Sequence, residues 1–217
     1  MKVLKTALSL STPDEWKDAL LYNADFREIR IDMIKSPSSE DELLNLCKKN
    51  DGDILSIATI RSEKEGGCFL KNCEDWRKKI DPWLNYVDYV DIERDFSGYA
   101  PEIRKGKTKV ISSVHLNYMP GYDELKQIEK ELRQYGDIPK IVVTPENEID
   151  IASFIEFTVK AEKPVITSVM GEKFKRARIP LLILGSMLIY CHCGTQASKG
   201  QYHIRDVKTI INILEQK

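Results

Sequence analysis

The sequence predicts an α/β protein that folds as one (β/α)8 barrel, also called a TIM barrel. Short segments rich in β-branched and apolar residues recur along the 217-residue chain, and a stretch with helical periodicity follows most of them. About eight such segments occur, which is the number that closes a parallel barrel. No Gly/Ser-rich linker or break in composition divides the chain, so we expect residues 1–217 to form a single domain.

The predicted strands are spread along almost the whole chain. They span residues 3–9, 26–34, 54–61, 87–93, 109–115, 140–144, 164–170 and 188–193. The chain is shorter than the ~250 residues typical of such barrels, so its loops should be short. A doubly wound open sheet is the structural alternative, but the chain contains neither the Gly-rich dinucleotide fingerprint nor a P-loop. A nucleotide-binding protein is therefore disfavoured.

The stretches between the strands carry helix signals. Thr12 followed by Glu15 forms a capping-box pattern, and Pro13 occupies the first helical position, where its missing N–H costs nothing. Two later stretches repeat apolar residues at helical spacing: Leu125, Ile128, Leu132 and Tyr135 in one, and Ile204, Val207, Ile211 and Leu214 in the other. Each of these stretches can therefore pack one face on a sheet.

The charges of the chain nearly cancel, with 33 Lys and Arg against 34 Asp and Glu. Such a balance supplies no basic field for nucleic acid and no polybasic segment for a membrane surface. No run approaches the ~18 apolar residues that suggest a membrane span. We therefore expect a small-molecule partner, with no nucleic acid and no membrane.

Cysteine usage favours a reducing compartment, because the five cysteines are odd in number and lack the spacing of a disulfide framework. Lys5 interrupts the apolar N-terminal segment and a capped helix follows it, so we interpret this segment as a strand. Cys191, His192 and Cys193 are adjacent, but successive strand residues point to opposite faces and no second ligand pair has zinc-like spacing. We expect a cytoplasmic protein without a metal site.

Ionisable residues concentrate in the predicted strands, whose C-terminal ends carry the catalytic groups of barrel enzymes. Glu28, Arg30 and Asp32 recur at period two, which places them on one face of a strand. Later strands contribute Arg61, Asp91, Glu93, His115 and Lys140. Buried charges cost several kcal/mol per ion unless they are paired. An ion-pair network that closes the barrel would explain single residues, whereas the period-two triplet favours a functional site.

Nine short motifs follow one another along nearly the whole chain. They are Glu28-Ile29-Arg30-Ile31-Asp32, Thr59-Ile60-Arg61 with Glu65-Gly66-Gly67, Tyr89-Val90-Asp91-Ile92-Glu93, Ser112-Ser113-Val114-His115, Lys140-Ile141, Ser168-Val169-Met170-Gly171, Arg178, Gly185-Ser186 and Gly200-Gln201. In this order they resemble the motifs of type I 3-dehydroquinate dehydratases, beginning with the ExRxD and TxRxxxEGG segments. Each motif alone is weak, but their common order is specific.

The resemblance implies an enzyme that dehydrates 3-dehydroquinate to 3-dehydroshikimate, a step of the shikimate pathway of aromatic amino-acid biosynthesis. Lys140 would form a Schiff base with the C3 ketone. His115 would remove the C2 proton and help to expel the C1 hydroxyl, because an imidazole titrates near working pH. Glu65 or Glu28 would orient the imidazole. No metal or organic cofactor is implied, since the protonated imine is itself the electron sink.

The same resemblance implies how the substrate is held. Arg178 resembles a carboxylate clamp, in which a planar guanidinium forms two hydrogen bonds, with Gln201 and Ser198 assisting. The ring hydroxyls would be held by three residues of the early strands: Glu28, Arg30 and Arg61. Met170 would pack against the ring, although a core methionine is an equally ordinary interpretation. The family also implies a homodimer.

The chain departs from the family pattern in the segments expected around the mouth of the barrel. Phe174 and Ala177 stand where the family usually has a glycine and a serine, and segment 116–120 is slightly shorter and lacks a common Asp-Phe pair. Ala197-Ser198-Lys199 replaces the common Ser-Ala-Pro. These departures bear on the lid and on the role of Ser198, and not on the lysine or the histidine.

Two other functions remain open on sequence grounds. A class I aldolase or transaldolase shares the lysine on the sixth strand, but it cleaves a carbon–carbon bond and often needs a phosphate-binding loop after strands seven and eight, which is not evident here. A non-catalytic barrel could bind an anion in the same pocket. Such a binder would need neither Lys140 nor His115.

Overall fold

The computed structural model describes residues 4–49 and 54–215. Over these residues nine parallel strands form one curled sheet, and the predicted fold class is confirmed. The strands are β1 (Lys5–Leu10), β2 (Phe26–Arg30), β3 (Leu55–Thr59), β4 (Tyr89–Glu93), β5 (Lys109–His115), β6 (Ile138–Val143), β7 (Ile166–Val169), β8 (Leu188–His192) and β9 (Tyr202–His203). The first eight build the barrel, and the short β9 extends it beside β8.

The barrel wall closes between β7 and β8. The strand order is β7-β6-β5-β4-β3-β2-β1-β8-β9, so each barrel strand lies beside its neighbour in the chain and β1 lies beside β8. At the remaining edge Met187 N–H donates to Val165 O at 2.8 Å, and Thr167 N–H donates to Ser186 Oγ at 3.1 Å. These bonds join the two strands without a ladder of paired residues in the described part of the sheet, and we call this edge the seam.

Helices connect the strands around the outside. They are α1 (Pro13–Leu21), α2 (Pro37–Lys48), α3 (Cys73–Ile80), α4 (Ala100–Ile103), α5 (Tyr122–Tyr135), α6 (Glu148–Lys160), α7 (Arg178–Leu184) and α8 (Ile204–Glu215). The capping box predicted for α1 is confirmed, because Thr12 caps the N–H of Glu15 while the Glu15 carboxylate accepts the N–H of Thr12. No helix in the described ranges is long and apolar enough to cross a membrane.

Two predicted strand boundaries are wrong in ways that matter for the site. Strand β2 ends at Arg30, because Ile31–Met33 forms a 3-10 turn that lets Asp32 bind back onto Arg30. Strand β6 begins at Ile138, because Pro139 pairs in register with Ser112 although a proline is a poor strand signal. Because β6 begins at Ile138, Lys140 lies inside this strand and not at its start. Residue 3 of the first predicted strand lies outside the described residues.

Alternate strand residues fill the barrel in layers. The lowest layer is an apolar cluster that we call the floor: Ala7, Phe26, Ile57, Tyr89, Ile111, Ile138, Ile166, Leu188 and Tyr190. Two residues further along the strands the interior becomes polar, with Glu28, Asp91 and Lys140 among its members. The intervening residues point outward and pack under the helices, as Ile141 does against α5 and α6. The apolar floor thus closes the barrel below a charged layer.

We expect Gly136→Ala to destabilise the barrel. A Cβ at Gly136 would lie 2.3 Å from Ser112 Oγ and 2.8 Å from its backbone N, so the β5 backbone would have to move. The free energy of unfolding should fall by about 1–3 kcal/mol, as for other overpacked sites. Gly98→Ala is the matched control, since a Cβ there meets nothing within 4 Å. Urea denaturation measures both; equal stability of the two variants would contradict the close packing.

Candidate active site

One open cavity of about 570 Å³, counting its mouth, lies above the floor at the C-terminal ends of the strands. All ten residues to which the family resemblance gave a role line it: Glu28, Arg30, Arg61, Glu65, His115, Lys140, Met170, Arg178, Ser198 and Gln201. Five further residues complete the lining: Gly66, Val142, Ser168, Tyr190 and Ala197. Of the period-two triplet, Glu28 and Arg30 are among the lining residues and Asp32 is not.

Lys140 reaches into the cavity from the middle of β6 and is only 4% exposed. Its Nζ donates to Asp91 Oδ2 at 2.8 Å and lies 3.9 Å from Glu28 Oε1. It also lies 4.2 Å from the centroid of the Tyr190 ring. The amine is thus held at one place by two carboxylates and an aromatic face.

Asp91 is the carboxylate closest to the Lys140 amine. Its other oxygen accepts a hydrogen bond from Ser113 Oγ at 2.5 Å, and Arg61 Nη2 lies 3.1 Å from Oδ2. Burial acts to raise the pKa of Asp91, but Arg61 and Lys140 outweigh it and lower the pKa to about 2. Asp91 therefore remains a carboxylate at any pH at which the protein would work.

Arg61 joins one loop carboxylate, Glu65, to two carboxylates of β4. Its Nη1 lies 2.7 Å from Glu93 Oε1 and 3.2 Å from Glu65 Oε2, and Nη2 reaches Asp91. We call Arg61, Glu65, Asp91, Glu93 and Lys140 the charge cluster. Gly67 is required beside it, because a Cβ there would lie 2.2 Å from Arg61 O. The second glycine of the Glu65-Gly66-Gly67 motif thus lets the loop approach Arg61.

His115 and Glu65 form a pair at the edge of the cavity. Glu65 Oε2 accepts the backbone N–H of His115 at 3.0 Å and lies 2.9 Å from its ring Nδ1. Burial raises the pKa of Glu65 to about 8 against the opposing effect of Arg61. Burial, with Arg61, Lys140 and Arg30 adding to it, lowers the pKa of His115 well below its ordinary value. Near neutral pH the pair therefore holds one proton between a neutral imidazole and Glu65.

Glu28 accepts hydrogen bonds from two hydroxyl groups. Ser9 Oγ donates to its Oε2 at 2.5 Å and Thr59 Oγ1 donates to its Oε1 at 3.1 Å. Of the two carboxylates that the sequence left open as partners of His115, Glu65 is the one in contact with it. Glu28 Oε1 instead lies 3.9 Å from Lys140 Nζ.

Arg30 is fixed by a two-pronged ion pair. Its Nε donates to Asp32 Oδ1 at 3.0 Å and its Nη2 to Asp32 Oδ2 at 2.8 Å. The third guanidinium nitrogen, Nη1, donates to Ala197 O at 3.0 Å. Asp32 therefore acts from the 3-10 turn, and Arg30 ties β2 to the loop after β8.

Arg178 is a buried cation at the rim, on the first residue of α7. Its Nη2 donates to Lys199 O at 3.2 Å, and its Nε has no hydrogen-bond partner among the described residues. Burial lowers the pKa of Arg178 to about 10, so the guanidinium remains charged at neutral pH. No ion pair with a carboxylate is formed in the described ranges, which leaves this cation available to an anionic ligand.

Gln201 holds the loop after β8 in place. Its Oε1 accepts the N–H groups of Ala197 at 2.9 Å and of Ser198 at 3.2 Å, while its Nε2 donates to Ser9 Oγ at 3.1 Å. Ser198 itself is exposed at the mouth. The amide therefore connects the mouth loop to β1 as well as lining the cavity.

The loops after β7 and β8 meet over the cavity. Gly200 N–H donates to Glu172 Oε1 at 2.8 Å, and a Cβ at Gly200 would lie 2.3 Å from Gly171 O. Two departures from the family pattern are buried: Phe174, and Ala177 in the outer cluster with residues of α5 and α6. Met170 is half-buried at the end of β7. The unusual residues are thus packed side chains of this part of the barrel.

Two residues close to Lys140 were not predicted as site residues from the sequence. Asp91 was noticed only as a strand carboxylate, although its period-two spacing from Glu93 on β4 gave the same signal as Glu28 and Arg30. Tyr190 gave no charge signal; only its period-two spacing from Leu188 on β8 places it inside the barrel. Interior parity along every strand would have found both.

The Cys191-His192-Cys193 segment is engaged in ordinary contacts. Cys191 is buried in the outer cluster under α8, and Cys193 O accepts a hydrogen bond from His203 Nε2 at 3.0 Å. The other ring nitrogen of His203 accepts the N–H of Arg205. No group of three metal-ligating side chains occurs in the described part of the chain.

Comparison with known proteins agrees with the motifs. The sequence model of the type I 3-dehydroquinase family matches residues 9–217. A 3-dehydroquinate dehydratase of Methanoregula boonei is 39% identical over 211 residues, covering 97% of this chain and 100% of the relative. One of Methanospirillum hungatei is 33% identical over 213 residues, covering 98% of this chain and 82% of the relative.

Solved structures share the barrel. The 3-dehydroquinate dehydratase from Aquifex aeolicus has a TM-score of 0.82 at 24% identity, covering 98% of this chain and 100% of that one. The 3-dehydroquinate dehydratase from Geobacillus kaustophilus has a TM-score of 0.85 at 22% identity, covering 98% and 91%. At these identities the two structures are similar to this chain in fold. The family model and the two relatives, which match almost the whole chain, support common descent. The chain therefore belongs to the type I 3-dehydroquinase family.

Proposed function

We propose that this protein dehydrates 3-dehydroquinate to 3-dehydroshikimate through an imine on Lys140, with His115 moving the protons. The observation that carries the proposal is a buried amine that shares one cavity with the His115–Glu65 pair and with Arg178, a cation that forms no ion pair within residues 4–49 and 54–215. Membership of the family supports the substrate, because the relatives of Methanoregula boonei and Methanospirillum hungatei are named for this reaction.

In the first step, the Lys140 ammonium passes one proton to Glu28, 3.9 Å from Nζ, and the neutral amine attacks C3 of the substrate. Two protons from Nζ, one of them returned by Glu28, then leave with the carbonyl oxygen as water, and a cationic imine remains. Asp91, 2.8 Å from Nζ, accepts a hydrogen bond from the nitrogen. The imine draws electrons from the adjacent C2–H bond and makes that proton removable. This electron withdrawal is the reason that a lysine, and not only a base, is needed.

In the second step, His115 takes the proton from C2 and the electrons form an enamine. The enamine then expels the C1 hydroxyl, which leaves as water after His115 returns a proton to it. Hydrolysis of the conjugated imine releases the product and regenerates Lys140. Glu65, 2.9 Å from Nδ1, positions the ring, and its carboxylate form accepts the Nδ1 proton, so the other ring nitrogen is free to act on the substrate.

The charges of the cavity would orient the substrate. Arg178 offers the cationic fork for the carboxylate at the rim, with Ser198 and Gln201 beside it. Glu28, Arg30 and Arg61 would bind the ring hydroxyls deeper inside, and Met170 would cover the ring. An anionic end at the rim places the ketone toward the floor, where Lys140 lies.

The decisive test is to incubate the protein with 3-dehydroquinate, add borohydride and map the modified peptide by mass spectrometry. We expect a covalent adduct on Lys140 and release of 3-dehydroshikimate. Lys140→Arg retains the charge beside Asp91 but cannot form an imine, so kcat should fall at least about a thousandfold. A wild-type protein with neither adduct nor product would exclude the dehydratase and favour the aldolase or the binding barrel.

The pH dependence of kcat/KM should reflect the His115–Glu65 pair. A lowered pKa keeps the imidazole neutral in acid, so the acidic midpoint should lie below the ordinary value of about 6.5. The rate should rise again near pH 8, because a protonated Glu65 donates to Nδ1 and leaves the ring proton on Nε2, whereas the Glu65 carboxylate accepts Nδ1–H and leaves Nε2 free to act as the base. Glu65→Gln has no proton to lose, so its profile should lack this second rise; a rise near pH 8 in this variant would contradict the assignment to Glu65.

Arg178→Ala should raise KM by about 30- to 300-fold with a smaller effect on kcat, because a charge-assisted bidentate contact to the carboxylate is lost. Arg176→Ala is the matched control, since Arg176 is an exposed arginine two residues before Arg178 and pairs with Glu148. Its KM should stay within about threefold of the wild type. Steady-state kinetics distinguish the two; equal effects would indicate general attraction of the anion and not a clamp.

A further inference from the structure

Tyr190 occupies the boundary between the floor and the charged layer. Its ring belongs to the apolar floor cluster, yet the residue also lines the cavity. Lys140 Nζ lies over the ring, 4.2 Å from its centroid. The hydroxyl is buried and has no hydrogen-bond partner among the described residues. The ring is therefore placed by packing, and its face is directed at the reactive nitrogen.

We propose that Tyr190 is a further catalytic residue, whose ring face stabilises the cationic imine nitrogen during the reaction. The inference rests on the proposed function, because the cation that it concerns exists only when Lys140 has reacted with a ketone. The nitrogen of the imine is the same Nζ atom, so its contact with the ring can persist from the free enzyme to the intermediate. A cation over an aromatic face is attracted by the ring quadrupole.

The ring adds a contact of a different kind from those of the neighbouring carboxylates. An ammonium carries three N–H donors, and the free Lys140 uses one of them toward Asp91. The imine nitrogen retains a single N–H, and its bond to the substrate carbon removes freedom to rotate. An aromatic face needs no hydrogen to attract the charge, so its contribution remains when the hydrogen bonds are reduced.

The Tyr190 side chain is a neutral phenol. Burial raises the pKa of Tyr190 well above its ordinary value, and Glu28 and Asp91 add to this effect. An ion pair with a phenolate is therefore not the contact involved. The charged and titratable groups that share the space around Nζ come from β2 to β5: Glu28, Arg30, Arg61, Asp91 and His115.

The experiment measures imine protonation directly. Wild type, Tyr190→Phe and Tyr190→Met are mixed with 3-dehydroquinate, and the rate of cyanoborohydride trapping on Lys140 is followed against pH, since this reagent reduces the protonated imine. Without the ring, the midpoint of trapping should move down by about half to one pH unit and kcat should fall roughly 3- to 30-fold. KM should change little. Tyr190→Phe retains the ring and should stay within about threefold of the wild type.

Tyr89→Met is the matched control for packing. Tyr89 is another buried tyrosine of the floor, and its ring pairs with Phe26 instead of Lys140. It should lower stability without moving the trapping midpoint. Tyr190→Leu provides a second ringless variant if Tyr190→Met fails to fold.

Several results would overturn the inference. A wild-type trapping profile in a folded ringless variant would show that the ring does not act on the cation. An equal loss in Tyr190→Phe would assign the effect to the hydroxyl, and an equal shift in Tyr89→Met would assign it to packing. Absence of any wild-type adduct would remove the proposed function together with this inference, whereas a normal wild-type adduct with an unshifted variant removes this inference alone.

Discussion

The charge cluster centred on Arg61 is the interaction on which the rest of the cavity depends. Five ionisable side chains lie within the barrel, where each isolated charge would cost several kcal/mol. Arg61 compensates Asp91, Glu93 and Glu65 at once, and Asp91 in turn holds Lys140. The apolar floor and the outer helix contacts stabilise the barrel, so the charge cluster can serve the chemistry of the cavity.

This pairing divides the cavity into two electrostatic regions. In the deep region Lys140 and Arg61 each form an ion pair with a carboxylate. At the rim Arg178 has no such partner among the residues that the structure describes. An anionic ligand is therefore drawn to the rim by charge, while its uncharged end enters the region where Lys140 is already oriented. Which cations form ion pairs therefore determines which end of a ligand faces the rim.

Much of this arrangement could be predicted from the sequence, because strand parity alone places Glu28 and Arg30 in the barrel and the motif order supplied the other lining residues. Parity failed at Asp32, where a side-chain hydrogen bond to Arg30 ended the strand early. The link from Gln201 through Ser9 to Glu28 joins residues far apart in sequence, so no local pattern could indicate it. The single domain over residues 1–217, the homodimer and the cytoplasmic location stay predictions.

The seam between β7 and β8 has a consequence for motion. The loops that meet over the cavity leave the barrel from these two strands, at the one edge that has no ladder of paired residues in the described sheet. Local opening of a protein begins where few backbone bonds must break together. We therefore expect separation of the strands at the seam and opening of the loops above it to occur as one movement. The least cooperative part of the barrel is then also the entrance to its cavity.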